Sequence, residues 1–242
     1  MTRLPTSGEA GGKSAAAYVR LKELAVRGEL RPALQLRPAD IARRFGFSDT
    51  PIREALARLY AEGFVEWRRS QGYYSKVFTE PEQRELLEVC QDFLVASIAG
   101  LPSRPEAMIP RPLTDMSPTV LERDDSAEFI AAQVEGLYIG LAEAAGNATR
   151  LDMVRQMMER THLVRVLDLR AVTVARATID VVVAMGEALL TRDLDAAERA
   201  GRQAVRSRLD RLSHLVGEAN AQAATSTFPD DGFGRPWRTA RL

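Results

Sequence analysis

Ser48-Asp49-Thr50-Pro51-Ile52-Arg53-Glu54-Ala55-Leu56-Ala57-Arg58-Leu59, running on through Tyr60-Ala61-Glu62-Gly63-Phe64-Val65, is the stretch that decides the fold. It opens on helix-capping residue types, and Pro51 falls in a first turn, where backbone N–H groups lack intrahelical acceptors and proline is tolerated. Ile52, Ala55, Leu56 and Leu59 recur at helical spacing as one apolar stripe, while Asp49, Arg53, Ala57 and Tyr60 share another face. One side packs and the other is left to touch a partner. Gly63 ends the helix, and Phe64-Val65-Glu66-Trp67 and Tyr73-Tyr74-Ser75-Lys76-Val77 read as two strands around Arg68-Arg69-Ser70-Gln71-Gly72.

Just upstream, Pro38-Ala39-Asp40-Ile41-Ala42-Arg43-Arg44-Phe45 gives a short helix, and Gly46-Phe47 makes a tight connection into Ser48. Two helices so joined, followed by a basic-tipped hairpin, form a winged helix-turn-helix, which places its second helix in the DNA major groove with N-terminal residues at the base edges. The candidate DNA-binding residues are therefore Ser48, Asp49, Thr50 and Arg53 on that helix, and Arg43 and Arg44 before it. Arg68, Arg69, Gln71 and Gly72 of the wing lie near phosphates or the minor groove. An arginine-tipped turn alone reads as a solvated turn; beside a recognition helix it gains a role.

These residues resemble the GntR family of transcription regulators, over roughly Tyr18 to Val77. The resemblance rests on Ala39-Asp40-Ile41-Ala42 through Gly46-Phe47-Ser48, then Thr50-Pro51-Ile52-Arg53-Glu54-Ala55-Leu56 with Arg58-Leu59, Glu62-Gly63, Val65 and Gly72. Two positions depart from the family pattern: Asp49 stands where the family usually has Arg, and Pro32-Ala33 where it usually has Pro-Gly. A carboxylate at position 49 repels phosphate, can accept from a cytosine amine and lies within salt-bridge reach of Arg53. The resemblance thus implies an altered operator or weaker binding rather than the usual half-site.

Past the wing, Leu137-Tyr138-Ile139-Gly140-Leu141-Ala142-Glu143-Ala144-Ala145-Gly146-Asn147 and Ala188-Leu189-Leu190-Thr191-Arg192-Asp193-Leu194-Asp195-Ala196-Ala197 resemble the FadR branch of that family. Its C-terminal part, the FCD domain, is an all-helical bundle that binds an effector and dimerises. Many relatives hold a divalent metal there through one Asp and three His; the matching positions are Val134, Tyr138, Val182 and Ala204, so no metal is expected. An Arg usual in that branch is replaced by Cys90. The chain's two histidines, His162 and His214, do not rebuild the set. Two readings remain open: the cavity is filled and the bundle only dimerises, or it binds a different small-molecule effector through Tyr138, Arg155, His162 or Arg165. Met153, Met157 and Met158 would line a pliable pocket, although methionine at helical spacing is more often plain core.

The organisation expected is mainly α: a disordered 1–13, a winged helix-turn-helix over 14–78 with a small β-hairpin, an antiparallel helical bundle over 79–218, and a disordered tail over 219–242. A first helix spans Ser14 to Arg27. Thr79-Glu80-Pro81 starts another, and five prolines between 100 and 125 mark a loop with little regular structure. Four helices follow, about Ser126 to Ala145, Thr149 to Leu169, Val172 to Thr191 and Leu194 to Val216.

Composition agrees. At 45% hydrophobic, the 242 residues can build packed cores. Net charge is +0, yet residues 1–78 hold 14 Lys and Arg against 8 Asp and Glu, so the basic part is the part that reads as a DNA binder. One cysteine excludes an internal disulfide framework. No signal peptide or membrane span is visible, which points to a cytoplasmic protein. A nucleophile–base pair, a Gly-rich phosphate loop and a metal cluster are all missing, so an enzyme is not expected, nor a cofactor. The expected protein is a homodimeric regulator of a palindromic double-stranded operator, because one such helix reads only a few base pairs. A ligand-independent DNA-binding dimer is the alternative.

Overall fold

The computed structural model describes residues 7–101, 121, 122 and 126–228, with side chains from residue 12 onward. Among these residues it has ten helices and one two-stranded antiparallel sheet. The helices are α1 (Ser7–Val26), α2 (Pro38–Phe45), α3 (Asp49–Ala61), α4 (Glu80–Ala99), α5 (Ser126–Ala144), α6 (Ala148–Arg160), α7 (His162–Leu169), α8 (Val172–Leu190), α9 (Leu194–Leu209) and α10 (Leu212–Ala224). The chain divides into two compact units, one of residues 1–76 with 222–242 and one of residues 77–221. No described helix is long and apolar enough to cross a membrane.

The first unit is built around the apolar stripe of α3. Ile52, Leu56 and Leu59 are fully buried, together with Leu21 of α1 and Ile41 of α2. Burial of each such side chain contributes about 1.5–3 kcal/mol. Gly46 closes α2 at φ 71, a left-handed conformation, and Phe47 N–H returns to the Ala42 carbonyl, which turns the chain into Ser48. The wing pairs β1 (Val65–Arg68) with β2 (Gly72–Ser75), Val65 opposite Ser75 and Arg68 opposite Gly72. A short bridge from Gln35 to Tyr74 adds a third edge. Ser75, 1% exposed, donates to the Arg31 carbonyl and accepts from Leu34 N–H, tying the α1–α2 connection to the wing. That connection turns at Arg31-Pro32-Ala33-Leu34, where Ala33 takes φ 56. It is the position where the family pattern carries glycine.

α1 begins at Ser7, seven residues before the start suggested by the sequence, so the described part of 1–13 is helical. The tail differs too. From 219 onward α10 continues to Ala224, Ala219 and Ala223 are fully buried, and Phe228 is 7% exposed in the core of the first unit. Gln222 and Ser226 donate to the carbonyls of Arg27 and Glu29. Most of the loop expected between 100 and 125, namely 102–120 and 123–125, lies outside the described residues, as do 1–6 and 229–242.

The second unit is an all-helical bundle whose core is lined by Leu94, Ile98, Ile130, Leu137, Leu141, Val154 and Ile179. Gly201 lets α9 approach α4: a Cβ there would lie 2.3 Å from Leu94 Cδ2. Two helices expected to be continuous are broken. Thr161 separates α6 from α7, its hydroxyl donating to the Met157 carbonyl, a bond that competes with helical geometry. Asp210 and Arg211 separate α9 from α10.

Candidate functional site

The outward face of α3 carries the residues that can meet DNA. Ser48, the residue before the helix, is exposed and makes no side-chain cap bond, so its hydroxyl is not used by the helix. Thr50 and Arg53 are exposed, and Asp49 lies beside Arg53 with 3.7 Å between its carboxylate and Nη2. Such an exposed pair contributes little to stability. It therefore leaves both groups available to base edges. α3 is held from behind by α1: Tyr18 donates to both Glu62 carboxylate oxygens at 2.9 and 2.7 Å, Lys22 lies 3.1 Å from Glu62, and Arg58 stacks 3.6 Å over the Tyr18 ring. Burial alone would raise the Glu62 carboxyl; hydrogen bonds from Tyr18, Arg58 and Lys22 outweigh it and hold its pKa below the ordinary value. Burial likewise raises the Tyr18 phenol.

The two α2 arginines part company. Arg43 is exposed and pairs with Asp40 at 3.1 Å. Arg44 is half-buried, with its guanidinium 5.3 Å over the ring of Phe228, which itself packs on Phe45 at 5.9 Å. In the wing, Ser70 at φ 62 and Gly72 at φ 91 shape the turn, and Gln71 N–H donates to the Arg68 carbonyl. Arg69 and Gln71 are exposed at its tip, while Gln35 donates to the Gln71 carbonyl at 2.7 Å and braces it. Arg68 lies 4.1 Å over Tyr74 and 3.3 Å from Glu66. Two exposed aromatics flank this surface: Trp67, edge-on to Tyr73 at 4.7 Å, and Tyr60 at 6.5 Å from Tyr73. The sequence singled out neither as a site residue: Trp67 reads as a strand aromatic, and Tyr60 follows only from its place on the outward face of α3.

In the helical unit, Arg165 is 2% exposed and donates through Nη1 to Glu135 at 2.6 Å and through Nη2 to Thr161 Oγ1 at 2.7 Å. His162 Nδ1 lies 2.7 Å from the same Glu135 oxygen. Burial raises the Glu135 carboxyl, but Arg165 and then His162 more than offset that, leaving its pKa below the ordinary value. Tyr138 is buried close by, its phenol pushed up to about 12, chiefly by burial. The structure thus groups His162 and Arg165 with Glu135, a residue the sequence did not single out. Arg155 stands apart: it is exposed on α6, 3.7 Å from Asp152. Met153 is exposed, whereas Met158 is core.

The positions matching the metal ligands of relatives do not fit a divalent cation. Val134, Val182 and Ala204 have no donor atom, Val134 and Val182 are packed in the apolar core, and the Tyr138 hydroxyl is kept neutral by burial.

Residues 13–74 match the family model described as bacterial regulatory proteins, gntR family, and residues 111–207 match the FCD domain. The chain belongs to the GntR family, its winged helix followed along the sequence by an FCD domain. This GntR-family regulator is similar to the Nta operon transcriptional regulator of Aminobacter aminovorans, 28% identical over 149 residues that cover 60% of this chain and 70% of that one. Solved structures share the fold. A GntR transcriptional regulator from Rhodococcus sp. RHA1 superposes with a TM-score of 0.66 at 16% identity, covering 85% of this chain and 98% of that one. E. coli McbR/YncC gives 0.63 at 16% identity, covering 84% and 97%. The matched domains and the named relatives are transcriptional regulators, not enzymes.

Proposed function

We propose that this regulator binds a short palindromic operator as a homodimer in the cytoplasm, each protomer setting the N-terminus of α3 into one major-groove half-site. Repression follows if the seated dimer excludes other proteins from that DNA. The observation that carries the reading is the exposed Ser48-Asp49-Thr50-Arg53 face standing on a fully buried Ile52-Leu56-Leu59 scaffold. Arg53 supplies a guanidinium suited to guanine O6 and N7, Asp49 an acceptor for a cytosine amine, and Arg43, Arg69 and Gln71 contacts to phosphate. Arg44 and Arg68 contribute from their aromatic platforms, and Gly72 lets the wing backbone approach the duplex.

Binding of the purified protein to DNA from upstream of its own gene, across a salt series, tests this reading. Arg53→Ala should cost about 1–3 kcal/mol on the preferred fragment and remove its advantage over random DNA. Equal binding to all DNA that ignores Arg53 would sink the reading.

A second reading adds an effector, met by Tyr138, His162 and Arg165, that alters operator affinity. It is favoured by the Arg165 Nε, which is buried with no hydrogen-bond partner. Arg155 would serve only at the outer surface of α6. A small molecule that shifts operator affinity supports this reading; the alternative is a ligand-independent dimer, for which no such molecule exists and whose FCD domain serves pairing alone.

A further inference from the structure

The wing and the end of α3 meet in a corner that carries three aromatic rings. Val65 and Ser75, opposite each other in the hairpin, are buried at 3% and 1%. Side chains alternate along a strand, so Trp67 and Tyr73, the next opposed pair on that face, continue it outward. There the face emerges: Trp67 is 50% exposed, edge-on to Tyr73 at 4.7 Å, and Tyr60 is 51% exposed, 6.5 Å from the same ring. Among the described residues neither the Trp67 Nε1–H nor the Tyr60 hydroxyl has a hydrogen-bond partner. Two half-exposed rings add little to the core of this unit, and a contiguous exposed aromatic surface marks a contact site.

Its place relative to the reading face is set by α3. Tyr60 follows Arg53 by seven residues, so it stands on the same side of the helix two turns on, about 10 Å along the axis. Ala57, exposed between them, leaves room for a partner to lie against the helix. The major groove is about 8.5 Å deep, so with Arg53 at the base edges Tyr60 comes level with the sugar–phosphate rim. Arg53 before the shelf and Arg69 beyond it are exposed cations. The carboxylates that follow Asp49 on α3 and the wing are engaged elsewhere: Glu54 with Ser14, Glu62 with Tyr18, Lys22 and Arg58, and Glu66 with Arg68.

We propose that Tyr60 and Trp67 form a shelf for the DNA backbone. Their rings lie against deoxyribose at the rim between the major groove read by α3 and the minor groove beside the wing, with the Tyr60 hydroxyl and the Trp67 N–H turned to phosphate oxygens. The contact rests on the operator reading for the placement of α3 and adds affinity without base choice. Burying about half of the exposed indole, on the order of 50 Å², corresponds to roughly tenfold in affinity.

Binding of the full chain to its preferred upstream fragment and to random DNA, each across a salt series, tests the proposal. Trp67→Ala and Tyr60→Ala should each weaken both complexes by the same factor, roughly tenfold for Trp67, and leave the slope of log affinity against log salt unchanged, because no cation is lost. Arg69→Ala should instead lower that slope. Where Trp67→Ala does not fold, acrylamide quenching decides. With the chain's other tryptophan removed as Trp237→Phe, Trp67 should be quenched readily in the free protein and severalfold less on either DNA. Either alanine variant binding like the wild type, or quenching that DNA leaves unchanged, overturns the proposal and gives the shelf to a protein partner. The two readings fail apart. Equal binding to all DNA that ignores Arg53 but is weakened by Trp67→Ala sinks the operator reading and keeps the shelf. A fragment preference that Arg53→Ala abolishes and Trp67→Ala leaves at full affinity sinks the shelf alone. A chain that binds no DNA overturns both.

Discussion

Replacing Glu135 by Gln removes the carboxylate that Arg165 and His162 share and changes side-chain volume hardly at all. Arg165 is 2% exposed and Glu135 19%, with 2.6 Å between them. Removing one partner of a buried pair leaves an uncompensated charge and typically costs about 3–5 kcal/mol. Partial exposure of Glu135 lets water relieve some of that, so about 3 kcal/mol is expected at pH 7. Arg165→Met should cost less, about 1–3 kcal/mol, because Glu135 keeps His162 and some solvent. The double variant should then fall short of the sum by about 2 kcal/mol, since no lone charge remains. Urea unfolding followed by far-UV circular dichroism reads these differences as midpoint shifts; at a slope near 2 kcal/mol/M, 3 kcal/mol is about 1.5 M. The pH dependence has a definite sign. The folded pKa of Glu135 lies below its ordinary 4.5, so its stabilisation is complete above that value and is lost as pH falls through the folded one. Glu135→Gln should lack this component of acid sensitivity. A cost under about 1 kcal/mol at pH 7 with unchanged slope, or strictly additive single penalties, would refute the buried-pair account.

Two further outcomes are expected. Ala33 sits at the third position of the Arg31–Leu34 turn with φ 56, where an L residue pays about 1–2 kcal/mol. Glycine recovers this at about 0.4–1 kcal/mol of extra unfolded-chain freedom, so Ala33→Gly should raise stability by about 0.5–1 kcal/mol and the melting temperature by roughly 1–4 °C; a lowered Tm would contradict the turn assignment. Cys90, 3% exposed with its thiol pushed up to about 11 by burial, should resist iodoacetamide at pH 7.5 in the native protein and react fully in urea, as read by intact mass; rapid native alkylation would show that the bundle opens there.

The first unit was legible because its signals are local. Ile52, Leu56 and Leu59 fix which side of α3 is buried, Gly46 and Gly63 fix where the chain turns, and the Ser48-to-Arg53 face follows as what remains. Even its strained position was visible, as an alanine in place of glycine at Ala33. The helical unit was legible only to the level of its apolar stripes. Thr161 breaks a periodic run because its own hydroxyl takes a helix carbonyl and the Arg165 guanidinium, which no periodicity count registers. Glu135 on α5 meets His162 and Arg165 of α7 across separations of 27 and 30 residues, and Asp168 on α7 meets Arg208 of α9 and Arg211 just beyond it across 40 and 43. A carboxylate read alone on a helix has the signature of a solvated face whether or not a buried arginine waits across the bundle.

The C-terminal segment shows the same limit from the other direction. Thr225-Ser226-Thr227-Phe228 has the composition of a tail, and one aromatic in a polar run carries no pattern. Phe228 nevertheless completes the apolar core against Phe45, because α2 ends on a ring that would otherwise face water, and Arg20, 4.3 Å over Phe45, and Arg44, 5.3 Å over Phe228, flank the stack with their guanidiniums. That placement bears on DNA contact. A guanidinium held over a ring keeps its charge but gives up freedom of reach, so in the proposed complex Arg44 would act on the duplex as a fixed background charge. On the proposed reading, contacts that track the phosphates would then fall to Arg43 and Arg69, whose side chains are exposed. The number of released counterions, and with it the salt slope, should follow those two arginines more closely than the arginine content of the unit.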